Sequence, residues 1–176
     1  LERYPTIDML APVLPEFRDW VRYAETAWQS LNKKYRIEEI TTYEEILRKA
    51  AGRTDYPGGG TRAVQEVKGD IVALYYYDLF FCERNALSQT AKPKIRLMFM
   101  YFAEELYPIL TRVLPKDTEI TCYIDYTPTR NLKRREVLKH IDPQTPYTLC
   151  YTLHDDNIGF LPMVAAESLG ELLQSA

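Results

Sequence analysis

The chain has 176 residues, of which 46% are apolar and 27% charged, and a formal net charge of −3. That is the composition of an ordinary soluble globular chain, long enough to bury the core of one domain. A free-standing nucleic-acid binder usually carries a basic excess, so that class is disfavoured and only a local basic face stays open. No uninterrupted apolar run reaches the roughly 20 residues that a bilayer span needs, so a membrane partner is not expected.

The chain begins at Leu1 rather than Met, with no charged-then-apolar leader pattern, and reads as a trimmed or partial chain. Phe17, Trp20, Val21, Ala24, Trp28 and Leu31 recur at helical spacing, with Pro15 near the first turn, and predict an amphipathic helix. In "TTYEEILRKAAG" Thr42 and Glu45 form a capping box and Gly52 is a natural stop, so a second, short helix follows. "DYPGGGTR" then separates a helical N-terminal third, residues 1–55, from a mixed α/β part, residues 61–176. Two helices make too thin a core to stand alone, so both parts are read as one domain.

Beyond the glycines, Lys68-Gly69-Asp70 reads as a turn between two β-rich runs. The second run, Ile71 to Cys82, is apolar on both alternating faces, as in a central strand covered on both sides. A buried helix is the competing assignment. Residues 92–115 read as a helix with a stripe of Met98, Phe99, Phe102, Leu106, Ile109, Leu110 and Val113, kinked at Pro108. A strand over "TEITCYIDYT", a helix over "TRNLKRREVLKHI", a strand over "PYTLCYTLH" and a closing helix over "FLPMVAAESLGELLQ" complete the chain. The alternation predicts an α/β fold with right-handed crossovers, and the hairpin makes its sheet mixed.

Four acids stand at the ends of predicted strands or inside them. Asp125 closes the run "CYID", at the kind of strand end where ligands and catalytic groups gather. It either holds a divalent metal or caps the following turn. Asp155 and Asp156, in "LHDDN", follow the next strand; beside Asp125 they would attract Mg²⁺ or Mn²⁺, and otherwise they form a polar loop before a helix. Asp78 lies inside "YYYDLFF", where a charge needs a partner, a proton or a metal; Arg84 and Arg96 are the partners the sequence offers. Glu105 borders an apolar stripe, whereas Glu104, Glu167 and Glu171 oppose theirs.

Arg130, Lys133 and Arg134 share one face of the predicted basic helix and either neutralise phosphates or form a solvated face. "GGGTR" lacks the Lys-Ser/Thr of a phosphate loop and reads as a flexible connection. "AESLG" is not a nucleophile elbow, and Cys150 and His154 are not adjacent on their strand. Cys82, Cys122 and Cys150 are few, far apart and embedded in apolar runs, which favours free thiols, a cytoplasmic setting and no zinc site. The tyrosines, Tyr75, Tyr76 and Tyr77 among them, suit either sheet packing or a binding surface.

The order Asp78 on a strand, Glu105 on a helix, Asp125 at a strand end and Asp155 or Asp156 before a last helix resembles the acidic layout of ribonuclease H-like nucleases. Residues 93–173, from "PKIRLMF" to "ESLGELL", are also similar to the C-terminal half of a ribonuclease H-like family of uncharacterised bacterial proteins whose first strand carries Asp-Glu-Ser-Gly. That strand is missing here, and the final helix reads "FLPMVAAES" in place of the family's Leu-Gln and Ala-Asp. The resemblance implies a mixed sheet and two-metal phosphodiester chemistry, with Mg or Mn held by Asp125 and Asp155 and catalysis by Asp78, Asp125, Asp155 and Asp156. Arg130, Lys133 and Arg134 would then hold a nucleic-acid backbone.

Two functions therefore stand. The first is a non-catalytic module of a cytoplasmic protein, without cofactor, that binds a protein partner or itself. The alternative is a metal-dependent phosphodiesterase acting on nucleic acid.

Overall fold

A computed structural model describes residues 3, 6–12, 19–54, 56, 58–88, 95–100, 102–115, 118–124 and 147–151; for residues 100, 121–124 and 147–151 it describes the backbone alone. The N-terminal third is helical. After β1 (Met9–Leu10) and a 3-10 turn (Val21–Tyr23), α1 runs over Ala24–Tyr35. It buries Ala24, Ala27, Trp28 and Leu31, the spacing of one helical face. Arg36 ends it in the left-handed region, φ 51°. The turn behind it is tied by Glu38, whose carboxylate accepts from the Trp28 indole at 2.9 Å and the Asn32 amide at 2.8 Å.

A second 3-10 turn (Ile37–Glu39) leads to α2 (Tyr43–Ala51). Thr42 caps it as its spacing predicts, the side chain accepting from the Glu45 amide at 3.2 Å, and Gly52 ends it. Ile46 and Ala50 face the core.

The next element departs from expectation. Residues Gly59–Tyr77 form α3, a helix of 19 residues, and Asp78–Glu83 continue it as a π-helical turn in which Arg84 N–H donates to Leu79 O at 3.0 Å. There is no hairpin at Lys68-Gly69-Asp70 and no central strand at Ile71–Cys82. The buried positions Ala63, Val67, Asp70, Ile71 and Leu74 follow the helical period; the run looks apolar on both faces because Gly69 to Leu74 are buried without a break at the middle of the helix. The glycines are not a loose connection either. Gly58, at φ 83°, sets the entry into the helix, and a Cβ on Gly60 would lie 2.0 Å from the Ala51 carbonyl oxygen. They let α3 start directly against the end of α2.

The segment read as one helix over residues 92–115 divides. Its first part is β2 (Arg96–Met100), in which Leu97 and Phe99 are buried in alternation, continuing from Ile95 just before it. A 3-10 turn (Glu104–Leu106) and α4 (Tyr107–Val113) follow. Pro108 lies in the first turn of α4, where its missing N–H has no partner to lose, so nothing is kinked. Leu106, Ile109, Leu110 and Val113 form the buried side as expected.

β3 (Glu119–Ile124) and β4 (Tyr147–Tyr151) lie where the sequence places them. The strands form one sheet in the order β1-β2-β3-β4, and every described pairing is parallel. Phe99 stands opposite Ile120, and Ile124 opposite Tyr151. The α/β class holds, and the described N-terminal third is mainly helical but also supplies an unexpected strand, β1, that pairs with β2; the mixed sheet does not hold among the described strands, because its antiparallel member is helix α3. One core joins both parts of the chain, with Trp28, Leu31, Ile46 and Ile71 from the helices and Leu97, Phe99 and Ile120 from the sheet. No described helix is long and apolar enough to cross a membrane.

Candidate functional site

Asp78 opens the π-helical turn and is 2% exposed. Its partner is neither Arg84 nor Arg96 but the end of α1. The Lys34 ammonium lies 2.8 Å from Oδ1 and 2.9 Å from Oδ2, and the Tyr35 hydroxyl donates a short hydrogen bond to Oδ1. Lys34 also reaches Glu83 at 3.3 Å. Partial burial works to lower the Lys34 pKa, but the Asp78 carboxylate, with Tyr35 and Glu83, outweighs it and raises the ammonium above its ordinary value. Burial, then the hydrogen bond to Asp78, pushes the Tyr35 phenol up. The half-buried thiol of Cys82 is pushed up by burial and then by the nearby Asp78 charge. This is a polar clamp between α1 and the end of α3, with its carboxylate turned towards α1. The neighbouring side chains of the same helix, Tyr77 and Phe81, meet Phe99 of β2 at centroid distances of 4.5 and 5.6 Å.

A second polar cluster lies just past the carboxyl end of β2. Arg53, after α2, reaches Glu104 at 3.1 Å and Glu105 at 3.5 Å and stacks over the Tyr56 ring at 4.9 Å. Glu105 is buried. Asp70 of α3, read from sequence as a turn residue, is 1% exposed and accepts from the Ala103 amide at 2.6 Å. The Trp20 indole donates to the Gly69 carbonyl one residue earlier, at 3.1 Å. These groups tie α2, α3 and the N-terminal segment to the loop after β2. Among the described residues no group of three or more His, Cys, Asp or Glu side chains could hold a metal ion.

The third feature is apolar and exposed. Tyr76, at 56%, and Phe80, at 52%, are among the exposed large apolar side chains. They are four residues apart on one face of α3 and its π turn. Two residues along a helix turn about 200°, so this face points away from the side on which Asp78 is clamped. The aromatic pair is braced from below: the Tyr75 ring lies 5.8 Å from Tyr76, and Phe81 meets Phe80 edge-on at 5.0 Å before packing on Phe99. The sequence singles out the tyrosines as binding candidates but not Phe80; its exposure becomes legible only once the run is read with helical period.

Of the four aspartates proposed from sequence, Asp78 alone lies in the described residues, on a helix and not on the strand that the resemblance implies. Asp125, Asp155 and Asp156 lie outside them, as do Arg130, Lys133 and Arg134 and the two helices expected around residues 129–141 and 160–174. The strands leading to the acids are described. β3 and β4 are parallel neighbours, so the chain leaves Ile124 and Tyr151 at the same sheet edge, one residue before Asp125 and a few before Asp155. β2 ends at that edge too, before Glu104 and Glu105. Comparison of the chain with protein-family models, with curated proteins and with solved structures finds no match in any of the three.

Proposed function

We propose that the chain is a non-catalytic interaction module of a cytoplasmic protein, binding a protein partner or itself through the aromatic face at the end of α3. The observation that carries this reading is the pair Tyr76 and Phe80, exposed side by side on a helix whose opposite face is anchored by the ion pair of the buried Asp78 with Lys34. Large aromatic side chains held rigid on a surface lose little entropy on binding and dominate interface energetics. The clamp of Asp78 by Lys34 and Tyr35 adds support, since it gives this acid a positioning role. In the described sheet the strand order never reverses, so these strands form no crevice of the switch-point kind where α/β sheets usually hold small ligands.

The test is site-specific cross-linking. A photoreactive benzophenone side chain replaces Phe80 in one sample and the exposed Gln29 of α1 in another. A discrete protein adduct at position 80, absent at 29 and lost on Tyr76→Glu, is expected. No adduct at either position would overturn the proposal.

One observation favours the second function, a metal-dependent ribonuclease H-like phosphodiesterase acting on nucleic acid. β3 and β4 are parallel neighbours that end together at Ile124 and Tyr151, and in the sequence Asp125 follows the first and Asp155 and Asp156 follow the second. Mg²⁺ or Mn²⁺ held there by Asp125 and Asp155 would polarise a phosphodiester, with Arg130, Lys133 and Arg134 on its backbone. Asp78, the remaining acid of that scheme, is engaged by α1 instead.

A further inference from the structure

We propose that the end of α3 is a two-register element whose winding is set by Lys34: π-wound while the ammonium holds Asp78 and Glu83 together, α-wound when it releases Glu83. The two acids are five residues apart. On an α-helix such residues stand about 140° apart around the axis, so one cation on a neighbouring helix cannot touch both. A turn closed by i→i+5 bonds brings them back to one side. Here the Lys34 ammonium touches both, at 2.8 Å from Asp78 and 3.3 Å from Glu83. The backbone agrees. Arg84 N–H donates to Leu79 O, five residues back, at 3.0 Å. The Phe80 carbonyl, its acceptor in an α-helix, accepts from Ala86 N–H at 3.1 Å instead.

The two grips of Lys34 differ in strength. Asp78 is buried and also holds the Tyr35 hydroxyl, so that end is fixed. The Lys34–Glu83 pair is exposed on both sides, a kind of contact that water and salt weaken. Nothing local in Asp78–Glu83 forbids α winding, since the stretch holds no Gly or Pro. Its other contacts are Phe81 on Phe99 and the Cys82 thiol on the Val113 carbonyl at 3.8 Å. Rewinding moves a charge. In the π register Glu83 stands with Asp78 on the side of α1. In an α-helix residue 83 follows Phe80 by three and Tyr76 by seven, on their face. Release of Glu83 thus sets a carboxylate beside the exposed aromatic pair. Where that pair is a recognition surface, which is the interaction-module reading, Lys34 is its positioning residue and keeps the charge off it. The two windings themselves require no partner.

The experiment is NMR measurement of the scalar coupling across the Arg84 N–H hydrogen bond in the isotope-labelled full chain. The coupling identifies the acceptor carbonyl: Leu79 in the π register, Phe80 in the α register. The wild type is expected to couple to Leu79. Lys34→Met should lose that coupling and gain one to Phe80. Glu83→Ala, which leaves the Asp78 pair in place, should also gain one to Phe80. No coupling to Phe80 in either variant would overturn the proposal and make the packing of Phe81 on Phe99 sufficient for the turn. Coupling to Phe80 in the wild type would overturn it too. If Lys34→Met fails to fold, Glu83→Ala decides alone, because its position is exposed. The cross-linking at position 80 is read separately, so either result stands when the other fails.

Discussion

Asp78 is held as a buried acid must be, by a cation and a hydroxyl that together occupy its oxygens. Removing one partner of such a pair leaves a charge in the interior with nothing to balance it. Tyr35→Phe deletes a hydrogen bond to that carboxylate and should cost about 2 kcal/mol at neutral pH. The same cluster predicts an alkaline limit. Folding raises the pKa of Lys34 above 10.5 and that of Tyr35 above 10.0, so the fold favours both protonated forms. Their contribution is fully present below about pH 10 and is lost as the pH rises through the folded-state values. Denaturant midpoints measured from about pH 9 upward should therefore fall more gently in Tyr35→Phe than in the wild type. Equal slopes would show that Tyr35 takes no part. The sequence makes it clear that Asp78 needs a partner. It does not make Lys34 legible as that partner, because the pairing joins residues far apart in the chain and depends on how α1 crosses α3.

At the level of elements, local chemistry was readable wherever it was self-contained. Thr42, Glu45 and Gly52 mark both ends of α2 within a dozen residues. β3 and β4 are short β-rich runs with turn residues on either side. The misread elements share one cause. A segment buried on most sides loses the polar stripe that distinguishes periods of 3.6 and 2. Ile71, Val72, Ala73 and Leu74 are consecutive and all buried, so α3 imitates a central strand. In β2 the alternation of Ile95, Leu97 and Phe99 is obscured by Met98 and by the helical spacing of Phe102, Leu106, Ile109 and Val113 just beyond it. Lys68-Gly69-Asp70 has turn composition, but here the backbone carbonyl of Gly69 accepts from the Trp20 indole and the Asp70 carboxylate from the Ala103 amide. The α2–α3 junction gives a sharp prediction. Gly60→Ala would set a methyl group 2.0 Å from the backbone oxygen of Ala51, an atom that no side-chain rotation can move. It should lower stability by about 3 kcal/mol in equilibrium denaturation. Gly52→Ala, whose nearest contacts are 3.6 Å away at ordinary backbone angles, should stay within about 0.5 kcal/mol of wild type. Equal losses at the two positions would contradict the close approach of the helices.

For the whole molecule, a helical layer packs on a parallel sheet whose described strands follow chain order. Its buried polar groups fasten elements together: Lys34 to Asp78, Arg53 to Glu104 and Glu105, Asp70 to Ala103. The outward aromatic pair on α3 is the described surface on which the proposed interaction module is built. The alternative function would rest on Asp125, Asp155 and Asp156, and a divalent metal is the reagent that distinguishes the two. The measurement to make is titration calorimetry of the full chain with Mn²⁺, on the wild type and on Asp125→Asn. A non-catalytic module predicts no saturable heat for either protein. Binding in the micromolar range by the wild type, abolished by Asp125→Asn, would contradict it and make the strand-end acids a metal centre.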